Sequence, residues 1–196
     1  MQEKHDMVED FKHKFNFAYL LCLIHQRCLV LICRKKWGVQ ALGGLPTFLA
    51  LILMIGWASF SRDLFFWAWI ALWLCCLVAR RIEALKLVKT GLHSLYDGWS
   101  DLTDFFRCSE KAAKLIVEPV MFGILGGILL WAYTVNELPV MGLPYFFLSG
   151  VFTLPFVEAV KQTIWNKRLQ AMNDARVEQQ AAVQDFREKY GDSNGR

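Results

Sequence analysis

Long apolar runs separated by short charged stretches dominate the pattern of the chain. Residues 41–60, ALGGLPTFLALILMIGWASF, carry no charge over about 30 Å of helix, the thickness of a bilayer core. Ser61-Arg62-Asp63 is short enough for a tight turn only, and residues 64–79, LFFWAWIALWLCCLVA, run back before Arg80-Arg81, whose long side chains would snorkel to the interface. Residues 115–135 and 143–160 form a second apolar pair, joined by a link without Lys or Arg. The pattern predicts an all-α, polytopic membrane protein with four transmembrane helices arranged as two hairpins.

Polar periodicity refines the flanks. Residues 15–33, FNFAYLLCLIHQRCLVLIC, are interrupted by His25-Gln26-Arg27. A central arginine costs about 2.5–3.5 kcal/mol on insertion scales. Lys12, Asn16, Tyr19, Gln26, Arg27 and Arg34 fall in one helical sector, which Leu23 and Val30 interrupt. The expectation is a helix lying in the cytoplasmic interface with its polar sector toward water, rather than a fifth span. The alternative, a fifth span, would put the N-terminus outside. Ile82, Leu85, Val88, Leu92 and Leu95 continue an amphipathic helix past the second span, ended by Asp97-Gly98. Ser109 is expected to cap the next helix, with Glu110 and Lys114 paired at i,i+4. Beyond Lys161, Trp165, Leu169, Met172, Arg176, Gln179, Val183, Phe186 and Tyr190 alternate in steps of four and three. That is a heptad seam with a polar interruption.

The predicted layout is therefore an N-terminal cytoplasmic segment (1–40), a first hairpin (41–79), a basic connector (80–114), a second hairpin (115–160) and a cytoplasmic helical tail (161–196). Orientation comes from charge. Lys4, Lys12, Lys14, Arg27, Arg34, Lys35 and Lys36 precede the first span, and Arg80, Arg81, Lys86, Lys89, Arg107, Lys111 and Lys114 fill the connector. Lys161, Lys167 and Arg168 open the tail, whereas Arg62 is the one basic residue in the opposite links. The positive-inside rule then places both termini in the cytoplasm. Trp57, Trp67, Trp131 and Tyr133 would mark the outer boundary, Trp37 and Trp165 the inner one. The first fourteen residues lack the apolar core of a secretory signal, so the first span is expected to act as its own insertion signal.

Composition adds less. The chain of 196 residues is 55% hydrophobic, above the usual 45–50% of soluble domains, and its excess lies in the runs above. Six cysteines show no CxxC pair or finger spacing, and no disulfide is expected. Cys22, His25 and Cys28 are spaced by threes, which drift around a helix and converge poorly on a metal; no cofactor or metal is expected. Ser/His, Cys/His and paired-acid arrangements at usable spacing are not found in the spans, nor is a phosphate loop or nucleic-acid motif, so the expectation is a non-enzymatic protein without a nucleic-acid partner.

Three features remain as candidate sites. Glu118 and Glu158, each beside a proline at the inner membrane edge, are expected to pair with Arg80, Arg81, Lys114 and Lys161 and so dock the hairpins. Gly123 and Gly127 are spaced for close helix packing. The tail residues Trp165, Leu169, Met172, Val183, Phe186 and Tyr190 would bind a protein partner or a second copy, and the basic residues would face anionic headgroups on the cytoplasmic side. In layout the chain resembles small bacterial inner-membrane accessory proteins, which implies a scaffold or accessory subunit in that membrane. The rival is a small oligomeric transporter or channel using Glu118 and Glu158.

Overall fold

A computed structural model describes residues 2–87, 96–136 and 142–190, with side chains described for 13–87, 96–136 and 142–186. The chain is helical almost throughout: α1 (Gln2–Val30), α2 (Val39–Leu42), α3 (Leu45–Ser61), α4 (Leu64–Leu87), α5 (Leu102–Phe106), α6 (Glu110–Ala112), α7 (Glu118–Val135) and α8 (Gly142–Tyr190). A π-helical turn, Ala113–Val117, links α6 to α7, and two short strands, β1 (Arg34–Lys35) and β2 (Trp99–Ser100), pair antiparallel. The chain divides into two compact units, Met1–Glu158 and Ala159–Arg196.

Among the described residues four helices are long and apolar enough to cross a membrane: those within Val39–Ser61, Leu64–Leu87, Glu110–Val135 and Gly142–Phe186. Their outward faces are apolar too, with Phe48, Phe60, Leu72, Ile124, Ile128 and Phe152 exposed. Water tolerates no such all-round apolar surface, whereas lipid requires it. Helix ends are held by local chemistry. Arg62 turns the chain in the left-handed region (φ 52°). Asp63 then caps α4, accepting from the Phe65 amide at 3.0 Å. The same buried carboxylate accepts from Tyr133 Oη at 2.8 Å and from the Leu143 amide at 3.0 Å, tying the turn to α7 and α8. Ser109 Oγ accepts from the Ala112 amide, the cap that the sequence predicts. The amphipathic continuation of α4 is observed as far as Leu87; Val88, Leu92 and Leu95 lie outside the described residues.

The core is built around α1, in a way its polar stripe does not announce. From His13 to Leu21 the helix is largely exposed, but Ile24 to Leu31 is buried, His25, Gln26 and Arg27 included. This end of α1 touches three of the apolar helices. Cys28 Sγ donates to the Ala50 carbonyl of α3, Trp73 Nε1 of α4 donates to the Arg27 carbonyl, and His25 is bonded to α8. Gln26, Arg27 and Arg34 of the polar sector are therefore buried, while Asn16 stays exposed. Acids and carbonyls of the chain itself take the place of water there, Glu158 for Gln26 and Phe146 for His25.

Close approach of α7 and α8 depends on glycine, at Gly123 of the expected pair and at Gly126 in place of Gly127. A Cβ on Gly123 would lie 3.0 Å from Val151 Cγ2, and one on Gly126 would lie 2.9 Å from Leu148 Cγ and 3.1 Å from the Leu148 backbone nitrogen. Gly127 has nothing within 4 Å. Three and four residues share a face almost equally well, and the rotation of α7 selects Gly126. A Gly126→Ala protein should lose about 1–3 kcal/mol to overpacking, while Gly127→Ala should be neutral. Unfolding midpoints in detergent would check this; equal midpoints for the two variants would overturn the packing assignment.

Candidate functional site: a buried charge network

Arg34 follows α1 by one turn and has no exposed surface. Its backbone is fixed by the strand pair, Arg34 opposite Ser100 and Lys35 opposite Trp99. Its guanidinium is fixed by acids from two of the apolar helices. Nε donates to Glu118 Oε1 at 3.0 Å and Nη2 donates to Glu118 Oε2 at 2.6 Å, a bidentate fork. Nη2 also donates to Glu158 Oε1 at 2.9 Å, and Nη1 lies 3.4 Å from the carbonyl and from Oδ2 of Asp97. Gln26 Nε2 completes the shell by donating to Glu158 Oε1 at 2.7 Å. Burial alone would lower the basicity of Arg34, but the charge and hydrogen bonds of Glu118, followed by the charges of Glu158 and Asp97, outweigh it and raise it. The guanidinium stays charged.

A second buried cation adjoins the first. Arg27 Nη1 lies 3.6 Å from Asp97 Oδ1, and its guanidinium carbon sits 4.8 Å from the centre of the Trp37 ring. Trp37 is buried and donates its indole N–H to the Arg34 carbonyl at 2.9 Å, so it seals the network rather than marking the membrane boundary. Gly98 allows this seal. It holds φ +78°, and a Cβ there would lie 2.9 Å from Trp37 Cε2 and 3.0 Å from Arg34 Cβ.

His25 forms a separate polar island. The Phe146 carbonyl, 3.1 Å from Nε2, accepts only, which places the ring proton on Nε2 and leaves Nδ1 to accept from Thr153 Oγ1 at 2.7 Å. Ser149 Oγ lies 3.1 Å from Nε2. His25 and Cys28 are thus committed to different partners, and among the described residues no three His, Cys, Asp or Glu side chains gather where they would hold a metal ion.

The acids expected at the membrane edge do come together, but on a different cation. Arg80 binds Glu83 and Asp101, Lys114 binds Glu110 within its own helix turn, and Arg81 donates to the Leu42 carbonyl at 3.4 Å. Lys161 belongs to the second unit. Arg34 takes the central place by presenting its planar fork to Glu118 bidentately and a further N–H to Glu158. Around the network, Lys35 bonds Asp101 and Asp104 at 3.0 and 2.8 Å, and its hydrogen bond lowers the Asp104 pKa. Tyr96 donates to Glu110 at 2.8 Å; burial first and that acid second raise its pKa. In the second unit the seam residues Trp165, Leu169, Met172, Val183 and Phe186 are exposed; the Tyr190 side chain lies outside the described set.

Replacing Arg34 by Met strands two buried carboxylates and should cost about 3–5 kcal/mol. Adding Glu118→Gln and Glu158→Gln to that variant should restore much of the loss, because no buried charge is then left without a partner. Thermal unfolding in mild detergent is the measurement, and an Arg34→Met protein as stable as its parent would refute the central role given to this residue.

No protein-family model, curated protein or solved structure matches the chain.

Proposed function

We propose that this protein is a non-enzymatic integral membrane scaffold or accessory subunit. Its four spans form two hairpins with both termini in the cytoplasm, and its connector and helical tail dock a protein partner or a second copy. The observation that carries the reading is the tail itself. Trp165, Leu169, Met172, Val183 and Phe186 repeat at heptad spacing and lie exposed on their unit. An exposed apolar seam on a charged helix is a docking surface in search of a facing helix, and Arg176 and Gln179 at the seam's centre set register.

The charge network supports an anchoring role over transport. Glu118 and Glu158 share one buried guanidinium, and an acid held in a bidentate pair is a poor carrier of ions or protons. Conducting pores are lined by groups that bind weakly enough to release. The basic residues beside the spans fit anionic headgroups of the cytoplasmic leaflet.

Cross-linking and mass analysis of the protein in mild detergent should yield a partner or an oligomer that is lost on truncation after Arg168, and on combining Leu169→Glu with Phe186→Glu. A full-length protein that runs alone and monomeric would sink the scaffold reading. In liposomes, a Glu118→Gln/Glu158→Gln protein that still folds should show no change in ion flux; flux lost with assembly intact would favour the transporter.

A further inference from the structure

One basic residue at the membrane edge takes no carboxylate among its described contacts. Arg81 of α4 is exposed, with Nη1 3.4 Å from the Leu42 carbonyl, which also accepts from Thr47 Oγ1 at 3.0 Å. The guanidinium therefore rests over the Gly43-Gly44 bend that starts α3, where a Cβ on Gly43 would meet it at 3.3 Å. Below it a cleft of about 260 Å³ runs between α3 and α4, floored by the buried Trp73 and walled by Phe48, Leu51 and Leu77.

The cleft is graded along its length. Its mouth has Arg81, Thr47 and the first turn of α3, capped by Gly44 without a side-chain acceptor. The positive end of the helix dipole thus adds to the arginine. From Arg81 to Trp73 along α4 is about 12 Å of helix axis, and from Thr47 to Leu51 along α3 is about 6 Å; over that depth the lining is apolar. A small soluble anion would use the mouth alone, and an apolar molecule the wall alone. A ligand with an anionic head joined to an alkyl chain uses both, and the bilayer supplies it at high concentration.

We propose that this cleft is a binding site for an anionic phospholipid, its phosphate on Arg81 and the first turn of α3, and one acyl chain between α3 and α4. The site rests on the membrane reading above and is independent of the tail. It also gives Arg81 a role other than the hairpin-docking one expected of it.

The test is native mass spectrometry of the full chain released from nanodiscs of equimolar phosphatidylglycerol and phosphatidylcholine. The parent should retain phosphatidylglycerol preferentially. Arg81→Gln should lower that preference roughly fivefold, the effect of one basic residue at a charged surface, while retaining the helical content and unfolding midpoint of the parent. Leu51→Trp, which fills the cleft from its wall, should lower retention of both lipids, and a chain truncated after Arg168 should retain lipid like the parent even where docking is lost. Unchanged selectivity in Arg81→Gln overturns the site, leaving only the general ring of lipid around the spans. So does a cleft found closed by a second copy in cross-links between Leu77→Cys and Phe48→Cys proteins.

Discussion

A guanidinium removed from water and shared between two carboxylates is the constraint from which the rest of the first unit follows. An unpaired buried charge costs several kcal/mol even after relaxation, so Arg34 is admissible only while Glu118, Glu158 and the Asp97 turn all stay in place. Those groups come from α7, α8 and the segment after α4. One side chain thereby holds together elements that are 84 and 124 residues away in sequence. Apolar contact in a bilayer gives little reason for helices to prefer one another over lipid. Polar contact does, because the alternative partner is hydrocarbon.

The same constraint explains α1. As an isolated helix, its His25-Gln26-Arg27 stretch belongs at a water surface, and Phe17, Leu20 and Leu21 remain exposed as that expectation requires. The last turns are buried with partners from other elements: Thr153 and Phe146 for His25, Glu158 for Gln26, and for Arg27 an ion pair with Asp97 and the face of Trp37, its Nη1 making no hydrogen bond among the described residues. Gly150 makes room, since a Cβ there would lie 2.6 Å from Leu29 Cδ1. Burial of these polar residues goes with partners on other helices and on the Asp97 turn, and the hydropathy of α1 alone does not contain it.

What could be read from the sequence follows the range of the interaction involved. Four apolar runs, the Ser109 cap and the Glu110–Lys114 pair depend on neighbours within a few residues, and all are present. The importance of Glu118 and Glu158 was legible because an acid near hydrocarbon needs a cation. Which cation was not: Arg80, Arg81, Lys114 and Lys161 were the partners expected, and Arg34, whose backbone is held by the β1–β2 pairing, was not among them. Trp37 misled for a similar reason. An aromatic beside Arg34-Lys35-Lys36 has the sequence of an interfacial anchor, and nothing local distinguishes it from a lid over Arg27. Gly126 was missed because a four-residue spacing was favoured over three when the helix phase was unknown.

The two ends of the first unit are held by different chemistry, and the contrast bears on the proposed role. At one end Asp63 gathers a capping amide, the Leu143 amide and the Tyr133 hydroxyl, so one acid clips the α3–α4 turn to α7 and α8. At the other, Arg34 does the same with the signs reversed. Between them the described polar contacts centre on His25, enclosed by Phe146, Ser149 and Thr153. A bundle clipped at both ends by buried, multiply bonded charges resists the relative helix motion that alternating access needs. Such a frame suits a protein whose proposed work is to hold a cytoplasmic helix at a membrane: rigidity in the spans costs nothing, and the surface available for recognition lies outside them.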